Sequence, residues 1–346
     1  AGPGEFTKRA FLNGKLTLTQ AEAVMDIISA GSQGAGRAAL ALRDGALYKK
    51  IRKITDDLTA LESHLAAWSD YPEEDVPELS DEAVSTVLKE ADAVLKRLIS
   101  TYDAGRIIRE GAVTVIAGKP NVGKSTLMNL LSGRDRSIVT SVAGTTRDVV
   151  EESVLVGDIP IRLLDTAGIH ETDDVVERIG VDMAQSAIDR CDAVIAVFDS
   201  SAPLDDDDRS LIEKLKNRPV IAVINKSDLE KKADADYIRS RFEYCVTISA
   251  AKGDGEDEFR EALGKLLKTA DLDPAEPVMA NERQLDCARR GEKALSEGLE
   301  ALECKMTLDA VGICIEAALD ALYELTGEKA SEAVIEQVFS RFCVGK

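Results

Sequence analysis

Eight residues, 118–125, constrain the possible folds of this chain more than any other stretch of its sequence. They read G-K-P-N-V-G-K-S and match the phosphate-binding pattern G-x-x-x-x-G-K-S/T, which joins a strand to a helix. The apolar, β-branched run at 112–117 predicts the strand, and S-T-L-M-N-L-L at 125–131 predicts the helix. A chance glycine-rich turn is the alternative, and the two correctly placed neighbours disfavour it. The sequence therefore predicts a P-loop within an α/β domain.

The residue types in this loop suit the binding of a nucleoside triphosphate. Gly118 and Gly123 let backbone amides approach phosphate oxygens closely, and the positive end of the following helix favours the negative charge. We expect Lys124 to reach the β- and γ-phosphates and Ser125 to place its hydroxyl on Mg²⁺. The predicted phosphate-binding residues are Asn121, Val122, Gly123, Lys124, Ser125 and Thr126.

A second motif, D-T-A-G at 165–168, follows the predicted strand at 161–164. Asp165 is expected to hold Mg²⁺ through water, and Gly168 to offer its amide to the γ-phosphate. Thr146 lies in G-T-T-R-D at 144–148, where a switch segment belongs, and is the candidate second protein ligand for Mg²⁺. No glutamine follows D-T-A-G in the position from which Ras-like GTPases orient water, and His170 is more often a surface histidine than a base.

A third motif, N-K-S-D at 225–228, predicts the base that is bound. The Asp228 carboxylate can accept both donors on the edge of guanine, whereas adenine would leave it unpaired at a cost. Asn225 is expected to brace the site, and Lys226 to lay its stem against the ring. Ser249 and Ala250 are expected to supply a backbone N–H to guanine O6. The sequence therefore predicts GTP rather than ATP.

Helical patterns precede and follow the α/β pattern. Thr19 and Glu22 have the form of a capping box, Ser80 is placed to cap a later helix, and one long helix is predicted from an apolar stripe between Leu40 and Trp68. We predict a Ras-like G domain at 112–271, inserted in an all-α helical bundle formed by 16–111 and 272–346. Two separate bundles are the alternative, although each half alone has few helices to bury its stripes. Residues 1–15 are expected to be the tail of a truncated N-terminal domain.

Composition limits the classes of partner. The formal net charge of −20 argues against a surface that binds nucleic acid mainly by neutralising its phosphates. Binding of an RNA partner would need a local basic patch or another subunit. None of the 6 cysteines forms C-x-x-C, and their spacing suits neither zinc nor a disulfide framework. No apolar run approaches the roughly 18 residues of a membrane span, and we expect a cytoplasmic protein with no membrane partner.

With these motifs in place, the chain resembles the MnmE (TrmE) family of tRNA-modification GTPases from end to end. The resemblance is carried by G-T-T-R-D, by the P-loop with Asn121, by the ending F-C-V-G-K at 342–346, by L-T-G at 325–327 and by the opening P-G-E-F-T-K-R-A-F-L-N-G-K at 3–15. It implies a GTP-hydrolysing homodimer that acts with an FAD-containing partner of the MnmG (GidA) family on the wobble uridine of certain tRNAs. It also implies that G domains pair when GTP is bound.

The resemblance implies several residue roles. A potassium ion takes the place of an arginine finger, held by Asn121 and by the loop that includes Ala143 and Thr145; for Asn121 the alternative is a hydrogen bond within its own loop. Glu177 matches the glutamate that positions the attacking water through a second water; its alternatives are an ion pair with a neighbouring arginine or a helix's first-turn acid.

Three further expectations come from the same resemblance. Cys343 matches a cysteine considered part of the modification chemistry, yet a thiolate needs an activating neighbour and the chain has only 2 histidines, so a structural role is favoured. The folate one-carbon carrier is expected only for the missing N-terminal domain. A ribosome-assembly GTPase of the Era or Der kind is the rival function, disfavoured because no basic appendage or G-x-x-G clamp follows the G domain.

Overall fold

The computed structural model describes residues 2–70, 80–132, 150–157, 159–164, 191–269, 276–340 and 342. The chain divides into two compact units. The helical unit comprises Ala1–Ala30, Ala35–Arg106 and Asp273–Lys346, and the sheet unit comprises Gly31–Gly34 and Ile107–Leu272. The sheet unit starts earlier than position 112 because the buried side chain of Ile107 packs into its core.

Thirteen helices lie within the described residues. They are α1 (Glu5–Leu12), α2 (Leu18–Ser29), α3 (Gln33–Arg43), α4 (Ala46–Asp70), α5 (Asp81–Ser100), α6 (Tyr102–Glu110), α7 (Lys124–Ser132), α8 (Asp206–Leu215), α9 (Ala235–Arg239), α10 (Glu256–Leu266), α11 (Glu282–Glu303), α12 (Leu308–Thr326) and α13 (Glu332–Ser340). None of the helices in this described part is long and apolar enough to cross a membrane.

Six strands form one sheet in the order β2-β3-β1-β4-β5-β6. The strands are β1 (Ala112–Ala117), β2 (Val150–Val156), β3 (Ile159–Leu164), β4 (Ala193–Asp199), β5 (Val220–Asn225) and β6 (Tyr244–Thr247). Neighbouring strands run parallel except β2 and β3, which pair antiparallel as the predicted hairpin. The apolar runs of β4 and β5 are buried on both faces, as strands in the middle of a parallel sheet require. The predicted α/β fold class with flanking helices is confirmed.

The core of the helical unit is formed by α4, α5, α11 and α12, whose apolar faces meet. The predicted single helix through Leu40 is wrong, because the chain breaks between α3 and α4. Gly45 adopts a φ of 82°, which favours glycine, and the Gln20 side-chain amide donates to Arg43 O at 2.9 Å to finish α3. Leu40 therefore lies outside the stripe and is 41% exposed.

The start of α2 also differs from the sequence expectation. Its capping box is formed by Thr17 and Gln20 rather than by Thr19 and Glu22. The T-x-x-Q pattern starts two residues earlier than T-x-x-E, and the Glu22 carboxylate is instead engaged by side chains of α11. Ser80 caps α5, as predicted, by accepting from the amide of Ala83 at 3.2 Å.

Within the helical unit, α6 contacts the segment that precedes α11. A Cβ added at Gly105 would lie 3.0 Å from the Cβ of Val278, so the backbone of α6 passes close to the Val278 side chain. Glycine at this position permits that approach.

Candidate functional site

The carboxyl ends of neighbouring parallel strands bring the candidate residues together. Gly118 follows β1, Asp199 ends β4, Asn225 ends β5 and Ser249 follows β6, and these four strands are consecutive in the sheet. In open α/β sheets ligands bind at this edge of the strands. The sheet therefore gathers motifs that are up to 131 positions apart in sequence (from 118 to 249).

The P-loop backbone fits only glycine at two places. A Cβ at Gly118 would lie 2.5 Å from Val197 O, and a Cβ at Gly123 would lie 2.2 Å from the side-chain nitrogen of Asn225. Gly123 also has a φ of 99°, in the left-handed region. Close contact with β4 and with the end of β5 thus fixes the loop that the pattern predicted.

Lys124 points back across this loop. Its ammonium donates to Gly118 O at 2.6 Å and to Lys119 O at 2.8 Å, so the charge lies against the backbone at the start of the loop. Burial lowers the pKa of this ammonium from its ordinary value. A phosphate in the loop would supply the negative partner that the two neutral carbonyls do not.

Ser125 and Thr126 lie in the first turn of α7 and are exposed. The first four amides of a helix have no acceptor inside the helix, so this turn offers N–H donors and a positive dipole end to an anion. The Ser125 hydroxyl is a hard oxygen donor of the kind Mg²⁺ prefers. Ser125 is the predicted Mg²⁺ ligand that lies within the described residues, and its chemistry suits that ion.

Asn225 joins the residues predicted to recognise the base to the P-loop. Its side-chain amide donates to Val122 O at 2.9 Å, and its side-chain oxygen accepts from the amide of Ala250 at 3.0 Å. Asn225 is 2% exposed, so both bonds are shielded from water. The Ala250 amide, predicted to serve guanine O6, is directed at Asn225 in this structure, and the Ser249 amide donates to Asp254 O at 3.0 Å.

Asp228 presents a carboxylate beside this braced loop. One oxygen accepts from the Ser249 hydroxyl at 2.8 Å, and the other lies 3.9 Å from the Lys252 ammonium. The hydrogen bond from Ser249 is the main reason that the pKa of Asp228 lies below its usual range. The group is therefore ionised at neutral pH and can accept the paired donors of guanine.

Asn121 and Lys226 share an uncommon backbone conformation. Their φ angles are 65° and 62°, in the left-handed region that most side chains avoid. The Lys226 ammonium donates to Asn121 O at 2.7 Å and to a carboxylate oxygen of Asp199 at 2.6 Å. The structure thus connects the loop after β1 to the loop after β5 a second time.

Two contacts of the site had not been predicted from the sequence. Asp199 is one, and its only signal is a polar residue ending an apolar strand next to the P-loop strand. Lys119 is the other: its ammonium pairs with Asp205 at 2.5 Å and with Asp208 at 2.7 Å, at the start of α8. The hydrogen bond from Lys119 is the main reason that the pKa of Asp205 falls to about 2.

The remaining predicted site residues lie outside the part of the chain that the structure describes. They are Ala143, Thr145, Thr146, Asp165, Gly168, Glu177 and Cys343. The described residues hold no cluster of three or more histidine, cysteine, aspartate or glutamate side chains that could bind a metal.

Comparison with known proteins covers the whole chain. The family model described as the MnmE helical domain matches residues 18–343. A relative from Oceanobacillus iheyensis, named tRNA modification GTPase MnmE, is 41% identical over 350 residues, covering 100% of this chain and 76% of the relative. A relative of the same name from Synechococcus sp. (strain JA-3-3Ab) is 43% identical over 348 residues, covering 100% of this chain and 75% of the relative.

Among solved structures, a variant of Aquifex aeolicus Era bound to GDP and AlF4⁻ is 31% identical with a TM-score of 0.35, covering 53% of this chain and 66% of that chain. The family model matches most of the chain, and both relatives match all of it, so the chain belongs to the MnmE family of tRNA modification GTPases.

Proposed function

We propose that this chain binds GTP between the P-loop and the guanine loop (residues 225–228) and hydrolyses it to GDP and phosphate. The observation that carries the proposal is the Asp228 carboxylate, which is held ionised beside a loop braced on Val122 by Asn225. Adenine has no pair of donors for this carboxylate and would leave it without a hydrogen bond, so the carboxylate selects guanine over adenine. The P-loop does not contribute to this choice, because it accepts the phosphates of any nucleotide.

The residues of the chain have separate tasks in hydrolysis. Lys124 and the amides at the start of α7 stabilise charge on the phosphates, while Ser125, Thr146 and Asp165 would hold Mg²⁺. When bound, that ion neutralises charge developing on the phosphate oxygens. Glu177 orients the attacking water through a second water, and Gly168 donates its amide to the γ-phosphate. The water oxygen forms the new bond to phosphorus as the bond to the β–γ bridging oxygen breaks.

Hydrolysis is stimulated by potassium and by pairing of G domains in a homodimer. Asn121 supports the potassium part, because it lies at the exposed rim of the P-loop and carries a side-chain oxygen suited to a hard cation. Ala143 and Thr145 complete the proposed site. The cation supplies positive charge where no arginine finger is identified in the sequence.

The GTPase cycle serves modification of the wobble uridine of tRNA, together with an FAD-containing partner of the MnmG family. The support for this part is membership of the family and the printed name of the relatives, which the chain matches at about 40% identity over its full length. We propose that the folate carrier of the reaction binds to a further domain and not to these 346 residues.

Guanine recognition is tested by calorimetry with GDP, ADP and xanthosine diphosphate. We expect GDP to bind at least about 100-fold more tightly than ADP. Asp228→Asn should weaken GDP and improve the xanthine nucleotide, because an amide can donate to the oxo group that replaces the guanine amine. Asp236→Asn, on the exposed face of α9, is the control. Equal affinity of the unaltered chain for GDP and ADP would refute the proposal.

The potassium part is tested by the hydrolysis rate in potassium and in sodium at equal ionic strength. We expect the rate to be higher in potassium and Asn121→Gly to abolish the difference. Glycine removes the side-chain oxygen without strain at a φ of 65°, whereas Asn121→Ala would add strain. Equal rates in the two salts for the unaltered chain would exclude potassium from the mechanism.

The tRNA part is tested with a longer protein that carries a folate-binding domain in addition to these 346 residues, mixed with the FAD-containing partner, GTP, a one-carbon donor and unmodified tRNA. Mass spectrometry of the digested tRNA should show a heavier wobble uridine only when GTP can be hydrolysed. Modification that proceeds equally with a non-hydrolysable analogue would contradict the proposed coupling.

A further inference from the structure

Asp199, the last residue of β4, lies between the P-loop and the guanine loop. In the sheet β4 pairs with β1 on one side and with β5 on the other. One carboxylate oxygen accepts from the backbone amide of Ser201 at 2.8 Å and from its hydroxyl at 2.6 Å. These two bonds fix the direction of the carboxylate, leaving the second oxygen for a partner on the next strand.

That partner is Lys226 of the guanine loop. Its ammonium lies 2.6 Å from the second carboxylate oxygen of Asp199, and the two side chains are only 30% and 16% exposed, respectively. Burial alone would raise the pKa of Asp199, but the hydrogen bonds from Lys226 and Ser201 outweigh it and lower the pKa. The Asp199 carboxylate is therefore ionised at neutral pH, and its contact with Lys226 is partly shielded from salt.

The same ammonium reaches the P-loop. It donates to Asn121 O at 2.7 Å, so one nitrogen joins Asp199 to the residue that carries the proposed potassium ligand. Among the described residues other than glycine, four have a positive φ, and Asn121 and Lys226 are two of these four. Uncommon backbone conformations persist where surrounding contacts over-determine them. Here the Lys226 ammonium holds the Asn121 carbonyl, and the Lys226 carbonyl accepts from the Ser200 hydroxyl at 2.8 Å.

Two links therefore join the guanine loop to the P-loop. The first, from Asn225 to Val122, is neutral and buried. The second, from Lys226 to Asn121, is charged and half-buried, and its direction is set by Asp199. Removal of the Asp199 charge leaves the first link intact and releases the second, so the two can be separated by experiment.

We propose that Asp199 is a positioning residue that couples base recognition to the cation-binding edge of the P-loop. It holds the Lys226 ammonium against the Asn121 carbonyl, which fixes the Lys226 stem under the guanine ring and fixes the backbone from which the Asn121 side chain projects. The potassium half of this coupling rests on the proposed function, whereas the nucleotide half requires only that GDP binds.

The test compares Asp199→Asn, Asp199→Glu and Asp205→Asn with the unaltered chain. Asn removes the charge with almost no change in shape, and Glu restores it. Asp205→Asn is the matched control, because it likewise removes one carboxylate from a lysine of the site, Lys119 of the P-loop, which keeps Asp208 as a partner. Asparagine also remains a good N-cap at that helix start. The readouts are GDP affinity, the potassium concentration for half-maximal hydrolysis, and the melting temperature without nucleotide.

Asp199→Asn should weaken GDP binding about tenfold, the size expected for loss of a charged hydrogen bond. It should also raise the half-maximal potassium concentration several-fold while the melting temperature stays close to that of the unaltered chain. Asp199→Glu should recover most of both effects, and Asp205→Asn should show neither. If Asp199→Asn does not fold, Ser201→Ala replaces it, with a smaller change of the same sign.

Three results would overturn the inference. Unchanged GDP affinity and potassium response in Asp199→Asn is one, and a loss fully explained by a lower melting temperature is another. The third is an equal loss in Asp205→Asn. An unaltered chain that lacks guanine preference or potassium stimulation would instead refute the proposed function, so the two failures are distinct.

Discussion

The helical unit and the sheet unit each contain a charged hydrogen-bond network, and the two networks differ in how far they are shielded from water. In the helical unit the Arg283 guanidinium grips the Glu22 carboxylate with two bonds of 2.9 and 3.0 Å. It also donates to two carbonyls at the end of α12, Glu324 O at 2.9 Å and Leu325 O at 3.2 Å. The buried Gln284 side chain donates to Glu22 at 2.6 Å and completes the set.

The network of the sheet unit is built differently. Its centre, Asn225, is buried, but its outer members Asn121 and Asp228 are exposed. Two of its residues have left-handed backbones, whereas the network around Arg283 involves none of the positive-φ residues. A network shielded from water, such as that around Arg283, stabilises the packing of its helices. A network that reaches solvent at residues with strained backbones, such as that around Asn225, is suited to binding a ligand. This comparison predicts different outcomes for mutations in the two units.

The largest effect is expected for Arg283→Met. The substitution leaves the Glu22 carboxylate buried without its partner, so the helical unit should lose about 3–5 kcal/mol of unfolding free energy. Fluorescence of Trp68, the single tryptophan, reports urea unfolding from α4 within this unit. Lys293→Met, which removes an exposed pair on the same helix, should change the unfolding free energy by less than about 0.5 kcal/mol.

GDP affinity measured in parallel sharpens this first prediction. Folded Arg283→Met should bind GDP as the unaltered chain does, because the network contacts only the helical unit. A large loss of GDP affinity without unfolding would break the distinction between the two networks.

A smaller loss of stability, with a large loss of binding, is expected for Gly123→Ala. The new Cβ would overlap the Asn225 side chain and adopt an unfavourable φ, which together cost about 1–3 kcal/mol and displace the bond to Val122. Gly253→Ala is the matched control, because its φ is 78° but its Cβ would meet Leu130 at an ordinary 3.6 Å. Calorimetry should show GDP binding lost in the first variant and retained in the second.

The smallest effect is a displaced pH dependence in Ser249→Ala. The Ser249 hydroxyl lowers the pKa of Asp228, so base recognition persists above that lowered pKa and fades as pH falls through it. Without the hydroxyl the pKa rises toward its ordinary value, and GDP affinity should begin to fall at a higher pH. The phosphates of GDP also titrate, but they affect both proteins equally. The ratio of the two GDP affinities at each pH therefore reports Asp228 alone. Superimposable profiles would show that Ser249 does not tune this carboxylate.

The sequence predicts the sheet well because the strands are short apolar runs that end at glycine or polar residues. The placement of Asn225 and Asp228 at the end of β5 could be predicted too, because the N-K-S-D motif follows the apolar run that forms this strand. Their role in binding guanine stays a prediction. The break at Gly45 was missed because an isolated glycine is tolerated in a helical pattern, and only its φ of 82° shows that it ends a helix here. Asp199 and Lys119 were missed because their partners lie on other strands and helices, at separations that no local pattern encodes.

The close passage of Gly105 and Val278 has a consequence for how the chain can be cut and rejoined. The chain leaves the helical unit near position 105 and returns to it near position 278, and these two points lie close together. The segment between them is therefore an insertion that can be removed. A few flexible residues joining position 105 to position 278 should give a stand-alone bundle, because the termini to be bridged already touch. The excised stretch could likewise be produced by itself, which would make each half of this GTPase open to separate study.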